Sequence, residues 1–325
     1  MAANVQSDTA VPEPSGAQVA VLMSTFNGAN FVIEQLASIL SQLPPGGRVL
    51  IRDDGSSDGT ADVIASLEDP RIELLIGSNL GFAASFLTLL GEASEKFDVF
   101  FFADQDDVWL PGKMQRALAA ISSRPSTVPV LYCSRQTLVD SDLRFISHSQ
   151  RFTHAPSFRN ALCENIVTGC TAALNRSAAL AVARTGNLED IYFHDWWAYL
   201  VVSALGCVIF DDESRILYRQ HARNVVGRGA GAQQYLQTLA FMLKRSWAHI
   251  LFRQARNFGL VYGSDLPPEK RRELEQFLDP GRATRLARLL LSPVRRRHSW
   301  VDELLFRGVL LAEILSGRGL LPAPR

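Results

Sequence analysis

Four short apolar runs, each ending in a polar cluster and separated by helical patterns, constrain this chain more than any other feature. They are Gln18–Met23, Arg48–Arg52, Ile72–Ile76 and Asp98–Phe102. Each is brief and rich in β-branched, leucine or aromatic residues, so each reads as a strand buried on both faces. Between the first two, Phe31, Ile33, Leu36, Ile39 and Leu40 fall on one side of a helix that stops at Pro44-Pro45-Gly46-Gly47. Thr60 to Leu67 reads as a second helix with Asp58 as its N-cap, and a third follows Gly81. This alternation predicts an α/β chain, a mostly parallel Rossmann-like central sheet flanked by helices. Ligands of such sheets bind beyond the C-terminal ends of the strands. Those ends carry Thr25 and Asn27, Asp53 and Asp54, Asn79 and Gly81, and then Asp104, Asp106 and Asp107.

The last cluster is the most demanding chemically. Three carboxylates within four residues repel one another, and each favours an added proton or a cation. A hard divalent ion with oxygen ligands, Mg²⁺ or Mn²⁺, is the simplest relief, and such ions arrive with phosphate-bearing substrates. The plain alternative is a solvated acidic turn. No G-x-G-x-x-G follows the first strand and no Walker lysine loop is present. A diphosphate would need the cation as a bridge, because bare carboxylates repel it.

The chain has 325 residues, 47% hydrophobic and 20% charged, enough for one large α/β domain plus an accessory region. A formal net charge of zero gives no global field to attract nucleic acid. The charge is uneven, however: from Arg228 onward there are 17 Lys and Arg against 8 Asp and Glu. Cys133, Cys163, Cys170 and Cys207 form no CxxC pair and sit among apolar or small residues, as free thiols of a reducing cytoplasm do. Residues 1–17 lack a basic start and an apolar core, so a disordered lead-in is expected rather than a signal peptide. The longest uncharged run, Trp196–Phe210, is shorter than the roughly 20 residues that span a bilayer.

Ser24-Thr25-Phe26-Asn27, Asp53-Asp54-Gly55-Ser56-Ser57-Asp58-Gly59-Thr60 and Asp104-Gln105-Asp106-Asp107, in this order and spacing, resemble the family 2 glycosyltransferases of GT-A fold. The form Asp-Gln-Asp-Asp-x-Trp, with Lys113 following, is similar to the bacterial rhamnosyltransferase-like branch that builds cell-surface polysaccharides. The likeness covers about residues 18–225. It implies that Asp53 or Asp54 accepts the imide N–H of a uracil or thymine, the other capping its turn. Thr25, Asn27 and Asn79 then join the nucleotide-sugar site. Asp104 and Asp106 match the family's D-x-D, with Asp106 as the metal ligand and Asp104 toward the sugar or ribose. Asp107 would support them or cap a helix running from Trp109 to Ala120. The small-residue strand Thr168–Asn175 would face the acceptor, with Gly169 leaving room for a sugar.

Asp195, in Tyr192-Phe193-His194-Asp195-Trp196-Trp197, occupies the place of the family's catalytic base. Its alternative role is capping the helix that follows. Trp196 and Trp197 would stack on the acceptor, and His194 would pack or position. Within Tyr218–Gly227, the resemblance makes His221 a third metal ligand and places Arg219 or Arg223 on the leaving diphosphate; a structural histidine is the plain alternative.

The expected organisation is a catalytic domain over 18–227, with a nucleotide-sugar half (18–110) and an acceptor half (111–227), then a basic amphipathic helical region (228–325). Residues 143–160 read as a loop. The basic tail fits either peripheral docking on the anionic inner leaflet or a helical subdomain packed on the core. The implied reaction is inverting transfer of a sugar, rhamnose from a deoxythymidine-diphosphate donor or a hexose from a uridine-diphosphate donor. The acceptor would be a hydroxyl of a surface polysaccharide or lipid-linked glycan. Two other classes compete. One is a nucleotidyl or phosphoryl transferase using the same acidic site and releasing pyrophosphate; the other is a non-catalytic carbohydrate-binding protein.

Overall fold

The computed structural model describes residues 16–152, 154–220, 247–278, 290–291 and 296–315. β1 (Val19–Thr25), α1 (Val32–Leu40), β2 (Arg48–Asp53), α2 (Thr60–Ala65), β3 (Ile72–Ile76), α3 (Phe82–Ala93) and β4 (Val99–Ala103) follow in order. These four strands run parallel in the spatial order β4-β1-β2-β3. The register sets Thr25 opposite Asp53, Asp53 opposite Ile76, and Met23 opposite Ala103. The polar clusters after these strands therefore share one edge of the sheet.

Strand alternation builds two cores. Ala20, Leu22, Phe100 and Phe102 point to one face, where Phe86, Leu89 and Leu90 of α3 cover them. Val19, Val21, Met23 and Phe101 point to the other, against Val32, Leu36 and Ile39 of α1. β4 is buried along its whole length, so truncating Phe101 to alanine should cost about 3–5 kcal/mol.

The second half begins with β5 (Val108–Trp109), α4 (Lys113–Ser122), β6 (Val130–Ser134), β7 (Thr137–Val139), β8 (Phe145–His148) and α5 (Phe158–Ala161). A 3-10 turn at Gly169–Thr171 leads into β9 (Ala173–Asn175), followed by α6 (Arg176–Val182), α7 (His194–Leu205), β10 (Cys207–Asp211) and β11 (Ile216–Arg219). β9 inserts antiparallel between β4 and β6, giving a seven-stranded sheet β10-β6-β9-β4-β1-β2-β3. That insertion carries the Gly169 turn to the end of β4. A smaller sheet, β5-β11-β7-β8, lies beside it.

Several local expectations change. Residues 143–160 hold β8, hairpinned onto β7, and the short helix α5 rather than a plain loop. α4 starts at Lys113 because Gly112, at φ 83°, turns the chain there; Trp109 belongs to β5 and Asp107 caps nothing. α2 starts after Gly59, at φ 86°, and the Asp58 carboxylate instead accepts from the N–H groups of Ala29 and Thr60.

Past residue 246 the described chain is helical: α8 (Trp247–Tyr262), α9 (Pro268–Leu278) and α10 (Trp300–Leu315). Phe252, Phe258 and Tyr262 of α8 join the core that contains Phe158 and Trp197. Among the described residues no helix is long and apolar enough to cross a membrane. His221, Arg223 and much of the helical region expected over 228–325 (residues 228–246, 279–289, 292–295 and 316–325) lie outside the described residues.

Candidate active site

The site gathers where β1, β2 and β4 end and the loop before β5 begins. Thr25 donates its hydroxyl to Asp53 (2.8 Å), and Asp53 also accepts from the Ser56 N–H (2.7 Å) and hydroxyl (2.6 Å). Asn27, at φ 51°, accepts the Ser57 N–H, and its own N–H reaches the Ser56 hydroxyl. Asp54 pairs with Arg52 and accepts from the Ser85 hydroxyl and the Leu80 N–H. The same Arg52 donates to the Ser78 carbonyl at 2.8 Å, fixing the loop after β3. Asn79 closes that loop by accepting the Gly81 N–H.

Both Asp53 and Asp54 are therefore buried and engaged by the protein. Neither presents an open carboxylate oxygen to a base, and the division of labour expected for the pair, one reading and one capping, is not what their contacts display. Both shape the edge. Two buried acidic groups survive here because each is hydrogen-bonded, and Asp54 has a cation as well.

The acidic loop is tied from several sides. Gln105 clamps the Phe26 backbone, accepting its N–H at 2.9 Å and donating to its carbonyl at 3.1 Å. Gly28 makes this clamp possible, since a Cβ there would collide with the Gln105 carboxamide. Gln35 of α1 donates to the Asp104 carbonyl at 2.8 Å. Arg219 donates to the carbonyls of Asp106 and Ser141 and to the Glu34 carboxylate, its cation lies over Phe31, and its N–H reaches Asp107. Only 3% of its surface is exposed. The expectation that Arg219 meets a diphosphate is thus corrected: its guanidinium is consumed in holding β11, α1 and the acidic loop together.

The loop's electrostatics are those of a cation site. Burial, then the charges of Asp106 and Asp195, push the Asp104 carboxyl up to about 7. Burial, then the charges of Asp106 and Asp104, also raise Asp107. Asp104, Asp107 and Cys170 each place a ligand atom within 4.8 Å of the others. Asp107 Oδ2, though buried, has no hydrogen-bond partner among the described residues. Two converging carboxylates with a spare oxygen suit a hard divalent ion. Cys170 suits it poorly, because burial holds its thiol protonated. Asp106, the ligand expected from sequence, is half-buried and is not among the three that converge, whereas Asp104, expected toward the sugar or ribose, and Asp107, for which only a supporting or capping role was foreseen, both are. Lys113 is buried with its ammonium over Trp109 (4.2 Å), and burial lowers it to about 8 against the pull of Asp107.

Asp195 lies in the first turn of α7, near enough to Asp104 for their charges to interact. It is not the N-cap; Phe193 occupies that position. Its Oδ2 accepts the Gly169 N–H at 3.0 Å and its Oδ1 the Trp196 N–H at 2.7 Å. Burial pushes its carboxyl up to about 6 despite those bonds. His194 stacks on Phe86 (centroids 4.1 Å apart), and burial drives it down to about 3, so it is neutral packing at any physiological pH. A Cβ on Gly169 would come within 2.7 Å of the His194 ring, which explains the missing side chain there as well as an empty acceptor subsite would.

The assignment of Trp196 and Trp197 to acceptor stacking fails on burial. They are 1% and 0% exposed, and their indole N–H groups donate to the carbonyls of Ala161 and Val182. Sequence reading took aromatic neighbours of a carboxylate for a sugar platform; in a helix, successive side chains point apart, and these two point into the core. It also missed Gln35, Arg52 and Glu34, and gave Gln105 of the acidic motif no role. Their only signal is a polar residue amid an apolar pattern.

This architecture, a mostly parallel sheet whose polar edge is closed by an acidic loop with a buried carboxylate opposite, is that of a GT-A fold. Solved structures agree. Over 93% of this chain and 92% of theirs, Staphylococcus aureus TarS residues 1–349 in complex with UDP-GlcNAc align with a TM-score of 0.55 at 13% identity. A Pyrobaculum calidifontis mannosyltransferase in complex with GDP-Man and Mn²⁺ aligns with a TM-score of 0.54 at 16% identity, over 95% and 92% of the two chains. A profile of glycosyl transferase family 2 matches residues 20–181, and the chain belongs to that family of glycosyltransferases. Its sequence is 27% identical to the dTDP-rhamnosyl transferase RfbG of Shigella flexneri, over 69% of this chain and 80% of that one. It is 26% identical to the UDP-Glc:alpha-D-GlcNAc-diphosphoundecaprenol beta-1,3-glucosyltransferase WfgD of Escherichia coli, over 49% of this chain and 60% of that one.

Proposed function

We propose that this glycosyltransferase moves a sugar, with inversion, from a nucleoside-diphosphate donor to a hydroxyl of a growing surface polysaccharide or lipid-linked glycan. The observation that carries the reading is Asp195. It is a carboxylate raised to about 6, oriented by two backbone N–H groups and within electrostatic reach of the acidic loop. A base poised near neutrality takes a proton at working pH and releases it afterwards. Asp195 removes the proton of the acceptor hydroxyl, the oxygen bonds to the anomeric carbon, and the bond from that carbon to the diphosphate oxygen breaks. The nucleoside diphosphate leaves with the electron pair.

Mg²⁺ or Mn²⁺ would be held by Asp104, Asp106 and Asp107, and when bound it would neutralise the charge that develops on the departing diphosphate. His221 remains the candidate for a further ligand. Thr25, Asn27 and Asn79 line the edge on which the nucleotide would lie, with Asp53 and Asp54 holding that edge in shape. Gly169 stands on the acceptor side, where its missing side chain makes room for the His194 ring and its N–H orients Asp195.

The likeness to a dTDP-rhamnosyl transferase favours deoxythymidine-diphosphate rhamnose as donor, and a uridine-diphosphate hexose is the alternative that the glucosyltransferase relative suggests. Calorimetric titration with both donors, with Mn²⁺ and then with chelator, tests this. Metal-dependent binding of the thymidine donor alone supports the rhamnosyl reading. Preference for the uridine donor transfers the assignment to a hexose. Binding of neither, together with pyrophosphate release from a nucleoside triphosphate, would overturn sugar transfer.

A further inference from the structure

Asp195 is gripped from two directions. Its own helix, α7, supplies the Trp196 N–H, and the loop before β9 supplies the rest. Gly169 of that loop donates its N–H to Oδ2 at 3.0 Å. Asn165, earlier in the same loop, brings its side chain to the same carboxylate as a hydrogen-bond partner. The direction of that carboxamide is fixed. Its Oδ1 accepts the Val167 N–H at 3.1 Å, so the NH₂ group is the end that faces Asp195. An ionised carboxylate only accepts hydrogen bonds, and the NH₂ group only donates, so the two match.

The frame around Asn165 is rigid. Ile166 and Val167 are buried in the core, and the Thr168 carbonyl accepts both the N–H (2.9 Å) and the hydroxyl (2.8 Å) of Thr171. On the other side, Glu164 is anchored by Asn160 and by the His298 N–H. One short stretch, 165–169, thus presents a side-chain amide and a backbone amide to a single carboxylate. A carboxylate offers about four acceptor positions. Gly169, Trp196 and Asn165 take three of them, and one stays open for an incoming proton. The Val167 contact alone does not call for asparagine, since aspartate or serine closes such a turn equally well. What asparagine adds is a donor long enough to reach Asp195.

We infer that Asn165 is a positioning residue for the general base, its carboxamide holding the Asp195 carboxylate in the orientation that receives the proton of the acceptor hydroxyl. The inference rests on the reading of Asp195 as that base. The test compares Asn165→Ser and Asn165→Ala in the full chain. Serine keeps an oxygen for the Val167 N–H but is too short to reach Asp195, and alanine loses both contacts. Both variants should lower kcat by about tenfold or more, the loss expected for a hydrogen bond to a charged group, with donor affinity by calorimetry within about twofold of wild type. Serine should recover the melting temperature that alanine loses, but not the turnover. In an Asp195→Asn background, Asn165→Ser should lower the residual rate no further, because the two residues act as one unit. Asn165→Ser with near wild-type kcat, while Asp195→Asn fails to transfer, would overturn the positioning role and leave the base in place. A further loss of full size in the double variant would overturn it too, by showing that Asn165 acts elsewhere. Near-normal turnover by Asp195→Asn would instead remove the base, and this inference with it.

Discussion

At Asp195, burial and two backbone hydrogen bonds oppose each other, and burial wins, setting the carboxyl at about 6. The base works only when ionised. Below about 6 it carries a proton and cannot accept another, so kcat should fall tenfold per pH unit on the acid side and level off above. A pH–rate profile on saturating donor checks this; a profile flat from about pH 5 to about 8, across the raised value, would contradict it. Trp196 gives a second residue-scale prediction. Trp196→Phe leaves the Ala161 carbonyl without its donor, costing about 1–3 kcal/mol of stability, with KM for the acceptor unchanged. Denaturant melts and acceptor titration separate the two effects, and a raised acceptor KM at intact stability would restore the stacking role.

At the scale of elements, the acidic loop is held by pieces distant in sequence: the Phe26 backbone after β1, which Gln105 grips, Gln35 of α1, and Arg219 of β11. Gly28→Ala should displace the Gln105 clamp. The loop would then lose its place and donor KM with Mn²⁺ should rise about tenfold or more, for a stability change of about 1 kcal/mol. Unchanged donor affinity in that variant would show the clamp to be irrelevant to the site. A second junction joins the segment before α10 to the catalytic half. Glu164 accepts from Asn160 (2.7 Å) and from the His298 N–H (2.9 Å). Burial works against ionisation there, but the His298 hydrogen bond, the Arg297 charge and Asn160 more than offset it, and the carboxyl falls from 4.5 to about 2. Its folded value is depressed, so its stabilisation is present above the unfolded value and lost as pH falls from about 4.5 toward 2. The difference corresponds to about 3 kcal/mol. Glu164→Gln should therefore flatten acid melting over that window, measured by thermal unfolding; an unaltered acid limb would remove Glu164 from the junction.

Across the whole molecule, the strand–helix alternation announced the sheet and the edge where its polar clusters gather because period and turn chemistry are local. So were the acidic run after β4 and Asp195. What local pattern cannot convey is burial direction. Trp196 and Trp197 looked like a platform until α7 turned them inward, and Arg219 looked like a diphosphate contact until Glu34 of α1 and the Ser141 carbonyl after β7 engaged it. The antiparallel β9, which carries Gly169 to Asp195, depends on pairing with strands far away in sequence, and no periodicity records that. Asp107 entered the cation set for the same reason, through contacts made by β11 and the Cys170 turn. The central claim is that Asp195 is the base of a sugar transfer. The direct measurement is transfer by Asp195→Asn with donor binding followed in parallel by calorimetry. Donor affinity within about twofold of wild type and a kcat lowered by about 10²–10⁴ is the expected result. Near-normal turnover in that variant, with nucleoside diphosphate still released, would contradict it.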